Sequence, residues 1–185
     1  PTSYGDSPYQ SFSAFAGNPY FIDLETLVQE GLLTWEEVSA PDWGDNPTKI
    51  DYAQIYQNRF RILRRAFIRS SHRETEEYQN FCKRNQDWLE DYSFYMAVKM
   101  HFGAQEWLKW PEEIRTCQPA ALQSFRKNLL QDIEFWKFCQ FKFSEQWFKL
   151  KAYANERGIS IIGDIPIYVS LDSADVWRHP SLFQL

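Results

Sequence analysis

At 185 residues the chain has room for one domain or part of a larger one, and its net charge of −5, with acids and bases mixed along it, lacks the basic stripe of a nucleic-acid binder. No apolar run is long enough to span a bilayer, and Pro1 to Asp6 carries neither a basic nor an apolar leader, which points to a cytoplasmic protein, or a plastid one if the source is a plant. Cys82, Cys117 and Cys139 lie far apart without CxxC or Cys/His spacing, so no zinc site is expected and a reducing compartment fits.

Residues 1–23 read as a loop of Ser, Gly, Asn, Pro and Asp interleaved with Tyr and Phe. A short helix is predicted over Leu24–Glu30, ended by Gly31, and Thr34 resembles an N-cap followed by the acids Glu36 and Glu37. Pro41 to Pro47 is a second loop. From Tyr52 the chain reads as helical almost to Gly158. Ile55, Phe60, Leu63, Phe67 and Ile68 form an apolar stripe. The arginines around it (Arg59, Arg61, Arg64, Arg65, Arg69) read as a solvated or ion-paired face rather than an anion site. A charged helix follows over Arg73–Gln86 and an apolar one over Trp88–Gly103. Trp107–Pro119 is a Trp- and Pro-punctuated connector. With no Gly or Pro between Ala120 and Arg157, that stretch predicts one long aromatic helix, stopped by Gly158. Aromatics make up 18% of the chain, enough either to fill helix seams or to stack on sugar faces.

The segment Ile159–Ile167 is nearly all β-branched or apolar and predicts a strand buried on both faces, as in a parallel α/β sheet. Asp164 interrupts it, and Pro166 removes a ladder donor just after, which places Asp164 near the carboxyl end of the strand. In α/β sheets and barrels that end is where ligands bind. Asp164 is thus a candidate functional carboxylate, or else a strand-end residue capping a turn or pairing with an arginine. Asp164, Asp172 and Asp175 put three carboxylates within twelve residues, enough for acid/base work or a cation, but Asp172 and Asp175 read rather as a cap and its third position at the start of a short helix. One strand makes no parallel sheet, and the chain runs from Pro1 to an apolar stretch at Leu185, so a piece of a larger fold is expected.

The segment Tyr4 to Tyr20 combines small residues that let backbone approach a ligand, flat amphipathic rings, and Asp, Ser, Gln and Asn acceptors and donors, a mixture suited to a polyhydroxylated ligand. The alternatives are a loop packed on the body through its rings, or a Tyr/Ser/Gly/Gln segment without fixed structure. The adjacent pairs Glu90-Asp91 and Glu36-Glu37 diverge on their helices and make poor catalytic pairs. His72, His101 and His179 have no ligand spacing.

Two long motifs, Tyr4-Gly-Asp-Ser-Pro-Tyr-Gln-Ser-Phe-Ser-Ala-Phe-Ala-Gly-Asn-Pro-Tyr20 and Gly163-Asp-Ile-Pro-Ile-Tyr-Val-Ser-Leu-Asp-Ser-Ala-Asp-Val-Trp177, resemble the amylomaltases, the 4-α-glucanotransferases or disproportionating enzymes of glycoside hydrolase family 77. Trp88 to Tyr92 and Asp51 to Tyr56 also fit. The resemblance implies an α/β fold, a partial (β/α)8 TIM barrel dominated here by helices. Residues 1–23 would be an active-site loop segment, 24–157 a mostly helical insertion, and 158–185 a barrel strand near 159–167 with its βα loop. It implies transfer of α-1,4-glucan segments to a sugar 4-hydroxyl with retention through a glucosyl-enzyme, on glucan and maltooligosaccharide substrates, with no cofactor or metal and no obligate protein partner. The same resemblance makes Asp6, Ser7, Tyr9 and Asp164 substrate-binding, with Asp164 a supporting active-site carboxylate, and Tyr4 and Tyr56 a secondary glucan-binding pair. The family's nucleophile lies in an Arg-x-Asp-His motif and its acid/base in Glu-Asp-Leu-Gly. Neither occurs here, since Glu90-Asp91 is followed by Tyr92. The expectation is therefore a fragment inactive alone, with a non-catalytic helical glucan-binding protein as the alternative.

Overall fold

The computed structural model describes residues 7, 9–46, 48–164 and 168–183. Among these, nine α-helices carry the fold: α1 (Leu24–Gln29), α2 (Trp35–Ser39), α3 (Tyr52–Arg69), α4 (Glu76–Arg84), α5 (Gln86–His101), α6 (Glu112–Arg115), α7 (Pro119–Asn128), α8 (Leu130–Glu156) and α9 (Ala174–Arg178).

Helix starts follow local side-chain chemistry. Asp23 caps α1 by accepting the Glu25 and Thr26 amides, Asp51 caps α3 and Thr75 caps α4. Thr34 and Glu37 form a reciprocal capping box on α2. Gly158 adopts φ +73°, and the Ile159 and Gly158 amides close back on the Ala154 and Asn155 carbonyls at 3.0 and 2.9 Å, which ends α8.

The predicted long helix is two. Leu129, at φ −105° and ψ 18°, separates α7 from α8. Its side chain is buried, 8% exposed, so packing sets the break without a Gly or Pro. In the α3 stripe Leu63 and Phe67 are core as expected, but Ile68 is 78% exposed, and Ile62 and Ala66 complete the buried face instead.

Helices α5 and α8 pack along each other as the central pair. Helices α3, α4 and α7 lie against α8, and α9 against α5. In α5 the run Phe94 to Val98 is buried on every side, as a helix enclosed by neighbours requires. Trp110 and Trp177 meet at 5.5 Å between ring centroids, with Tyr95 5.4 Å from the first and 5.8 Å from the second. The aromatic excess is therefore largely helix-seam material. Three of the five α3 arginines are ion-paired: Arg69 grips both Glu37 oxygens at 2.6 and 2.7 Å, Arg65 reaches Glu37 at 3.3 Å and Arg64 reaches Asp132 at 2.5 Å, while Arg59 donates to the Ile22 carbonyl and Arg61 to Asn58 Oδ1.

The strand expected near 159–167 does not form over the described residues 159–164, and residues 165–167 lie outside them. A strand is defined by pairing with a neighbour, and no strand is present among the described residues. Ile162 is 94% exposed and Ile161 39%, an uncovered apolar edge.

The candidate glucan cleft

The N-terminal loop reaches its place through two glutamines of α8. Buried Gln140 accepts the Gly17 amide at 2.8 Å and donates to its carbonyl at 3.0 Å. Gln146 does the same to Asp23 at 2.6 and 3.1 Å. A Cβ at Gly17 would lie 2.1 Å from the Phe143 ring, so only glycine lets the loop approach this closely. On its other side the loop is tied to α9: the Ala174 amide donates to the Phe12 carbonyl at 2.9 Å and the Ala14 amide to Asp175 Oδ2 at 3.0 Å. Burial holds the Asp175 carboxyl above its ordinary pKa.

This stitching brings the two ends of the chain together. The Tyr9 hydroxyl donates to Asp164 Oδ2 at 3.1 Å. That bond, with the neighbouring negative charge, raises the phenol pKa. Ser7 Oγ accepts the Tyr9 amide at 3.3 Å and the Ser7 carbonyl accepts the Gln10 amide at 3.2 Å, a tight turn that presents the ring, which is 59% exposed. Ser7 and Tyr9 line a cleft of about 590 Å³ with Gln10, Glu106, Trp107, Leu108, Tyr168, Ser170 and Asp172. Hydroxyls, carboxylates and aromatic rings converge there, which suits a ligand with apolar faces and many hydroxyls.

Of the residues singled out in the sequence, Ser7, Tyr9 and Asp164 are thus assembled in one place. Asp6 and Tyr4 lie outside the described residues. Tyr56 is elsewhere, on α3, 45% exposed and edge-on to Phe60 at 5.7 Å, at an aromatic cavity of about 290 Å³ shared with Tyr20 and Trp136.

The reading of Asp172 as a helix cap is corrected. Ser173 is the N-cap of α9, its Oγ accepting the Val176 amide at 3.2 Å. Asp172 instead accepts Tyr95 Oη at 2.6 Å, Lys99 Nζ at 2.6 Å and the Trp107 amide at 3.2 Å. Asp175 turns to the N-terminal loop rather than to a cap. Trp107, the first residue of the connector read from sequence, and Glu106 just before it form a wall of the cleft. Their one sequence signal was the Trp-rich composition of that stretch.

Among the described residues no helix is long and apolar enough to cross a membrane. The 4-alpha-glucanotransferase family profile, glycoside hydrolase family 77, matches residues 1–185. The chain belongs to this family. It is 44% identical over 184 residues to the 4-alpha-glucanotransferase of Clostridium butyricum, covering 100% of this chain and 38% of that protein. It is 45% identical over 185 residues to that of Streptococcus pneumoniae, covering 99% and 37%. The structure of the amylomaltase from Streptococcus agalactiae in complex with acarbose superposes with a TM-score of 0.93 at 40% identity, over 100% of this chain and 38% of that one. The chain thus spans little more than a third of the length of these relatives.

Proposed function

We propose that the protein to which this chain belongs is a 4-α-glucanotransferase, moving α-1,4-glucan segments to the 4-hydroxyl of a glucan or glucose acceptor. In this reading the chain supplies part of the substrate site. The Tyr9–Asp164 hydrogen bond carries the proposal, because it joins the two family motifs through a ring that lines the cleft.

The Tyr9 ring offers a flat face for a sugar, and its bond to Asp164 fixes the ring's orientation. An ionised carboxylate has roughly four acceptor positions, so Asp164 keeps capacity for sugar hydroxyls while engaging Tyr9. Its charge, held close to the scissile bond, favours the oxocarbenium character that develops in a retaining displacement. Ser7 adds a hydroxyl contact and Asp6 belongs to the same loop. Tyr4 and Tyr56 are the secondary glucan-binding tyrosines of this reading. The nucleophile and acid/base are contributed by other parts of the enzyme, since neither family motif is present in this sequence. The chain alone is then inactive, and the reaction needs no metal or organic cofactor and no protein partner.

In the same reading residues 158–185 supply one strand and its βα loop to a (β/α)8 barrel, 24–157 a helical insertion, and 1–23 an active-site loop. A barrel closes eight strands on one another, which would cover Ile161 and Ile162. A cytoplasmic or plastid location accords with α-glucan substrates.

The test is maltotriose disproportionation by the full-length protein and by the 185-residue chain side by side, followed as glucose and longer maltodextrins. Transfer by the full-length protein alone is expected. Transfer by neither defeats the proposal, and transfer by the short chain overturns the placement of the catalytic carboxylates.

A further inference from the structure

We propose that Lys99 and Tyr95, acting through the Asp172 carboxylate, are positioning residues that hold two walls of the cleft at the spacing a glucan chain needs. The inference rests on the function proposed above and extends it to two residues that do not line the cleft.

Besides Ser7, Tyr9 and Gln10 of the N-terminal loop, the cleft has two further walls: the segment 168–172 with Tyr168 and Ser170, and the turn 106–108 with Glu106 and Trp107. A single carboxylate bridges them. Asp172, on the first wall, accepts the amide of Trp107, on the second, at 3.2 Å. The Trp107 indole N–H returns the link by donating to the Leu171 carbonyl at 2.8 Å. Behind both stands α5. Lys99 Nζ donates to Asp172 Oδ2 at 2.6 Å and to the Gln105 carbonyl at 3.1 Å, so one ammonium ties the first wall to the residue that leads into the second, while Tyr95 Oη donates to Asp172 Oδ1 at 2.6 Å.

Burial divides the parts. The Lys99 side chain is 3% exposed and Tyr95 0%, whereas the Asp172 side chain is 25% exposed and lines the cleft. Capping does not account for the carboxylate, because Ser173 caps α9. Net stability is a poor account as well, since a buried ion pair replaced by well-packed apolar residues is often neutral or better. Directional bonds from one buried cation and one buried phenol to one cleft segment and to the residue leading into the other fix geometry. A substrate displaced by about 1 Å from its productive place reacts on the order of 10²-fold more slowly.

The experiment uses the full-length protein with Tyr95→Phe, Trp107→Phe and Lys99→Met, reading amide hydrogen exchange at 105–108 and 168–172 together with KM and kcat for maltotriose. Tyr95→Phe removes one hydroxyl and leaves the Lys99–Asp172 pair, so the test stands even where Lys99→Met does not fold. Expected is exchange faster by about tenfold in both segments, unchanged in α8, with kcat for maltotriose falling by more than KM rises. Unchanged exchange in both segments in Tyr95→Phe and Trp107→Phe overturns the clamp whatever the activity. Faster exchange with unaltered kcat overturns its role in positioning substrate. A wild type that transfers no glucan defeats the proposed function, while the exchange data still decide whether the clamp holds the walls.

Discussion

Tyr9 and Asp164, 155 residues apart, share a hydrogen bond of 3.1 Å that joins the loop at one end of the chain to the apolar segment near the other. Neither residue is held by regular secondary structure. Their meeting depends on the glutamine clamps of α8 and on the loop's bonds to Ala174 and Asp175.

Tyr9→Ala in the full-length protein is expected to raise KM for maltotriose and lower kcat together, because binding energy gained beside the reacting centre supports the chemistry. Tyr9→Phe, which keeps the ring and loses only the bond to Asp164, is expected to retain more activity than Tyr9→Ala. Equal loss in the two variants would assign the whole effect to the hydroxyl and contradict the stacking role.

The Gly17 approach gives a stability prediction. Gly17→Ala drives a methyl into the Phe143 ring and is expected to destabilise by about 1–3 kcal/mol, as overpacking does. Gln140→Leu, which strands the Gly17 amide and carbonyl, is expected to destabilise by a similar 1–3 kcal/mol. Denaturant midpoints within 0.2 M of wild type in both variants would show that the loop is not anchored there (about 0.2 M is a few tenths of a kcal/mol at ordinary urea slopes).

Much of the helical fold was legible in the sequence, because capping and periodicity are local. Gly31, Thr34 and Gly158 mark their boundaries within a few residues. The break at Leu129 was not legible, since it answers to burial rather than to a Gly or Pro. Asp172 was misread for a related reason. It and Ser173 are both good cap types, and what separates them is three donors 65 to 77 residues away in sequence. Tyr9 and Asp164 were found as members of family motifs, and Asp164 also as a carboxylate in an apolar run. Their mutual bond left no local trace. The strand around Asp164 was read from side chains alone, and side chains supply no partner for its backbone.

His72 supplies a pH prediction. Its ring is buried, 4% exposed, against Tyr78 at 4.7 Å and Phe138 at 4.9 Å, and burial, helped by the charges of Arg73 and Lys142, lowers its pKa from 6.5 to about 4. Between these values the unfolded chain takes up a proton that the folded chain refuses, so stability falls as pH drops from 6.5 to about 4 and this contribution levels off below. The loss is on the order of 2–3 kcal/mol. Urea midpoints measured across that window are expected to decline in wild type and to flatten in His72→Phe. An equal decline in both would assign the sensitivity to other groups.

Glu37 acts in a lower window. Its bonds to Arg69, then its capping of the Thr34 amide, lower its pKa from 4.5 to about 2. A depressed carboxylate pKa stabilises the fold above the unfolded value, and that support is lost as pH falls from 4.5 towards 2. Glu37→Gln is expected to lower the melting temperature at pH 7 and to narrow its gap to wild type by pH 2.5. A gap that stays constant over this range would contradict the ion-pair role.

The most direct measurement is steady-state maltotriose disproportionation by the full-length protein carrying Asp164→Asn, compared with wild type. The account predicts a fall in kcat on the order of 10²-fold or more, the range for a lost preorganised electrostatic contact at a reacting centre, with the fold intact by circular dichroism. A folded Asp164→Asn protein with wild-type kcat would contradict the assignment of Asp164, and of its bond to Tyr9, to the glucan site.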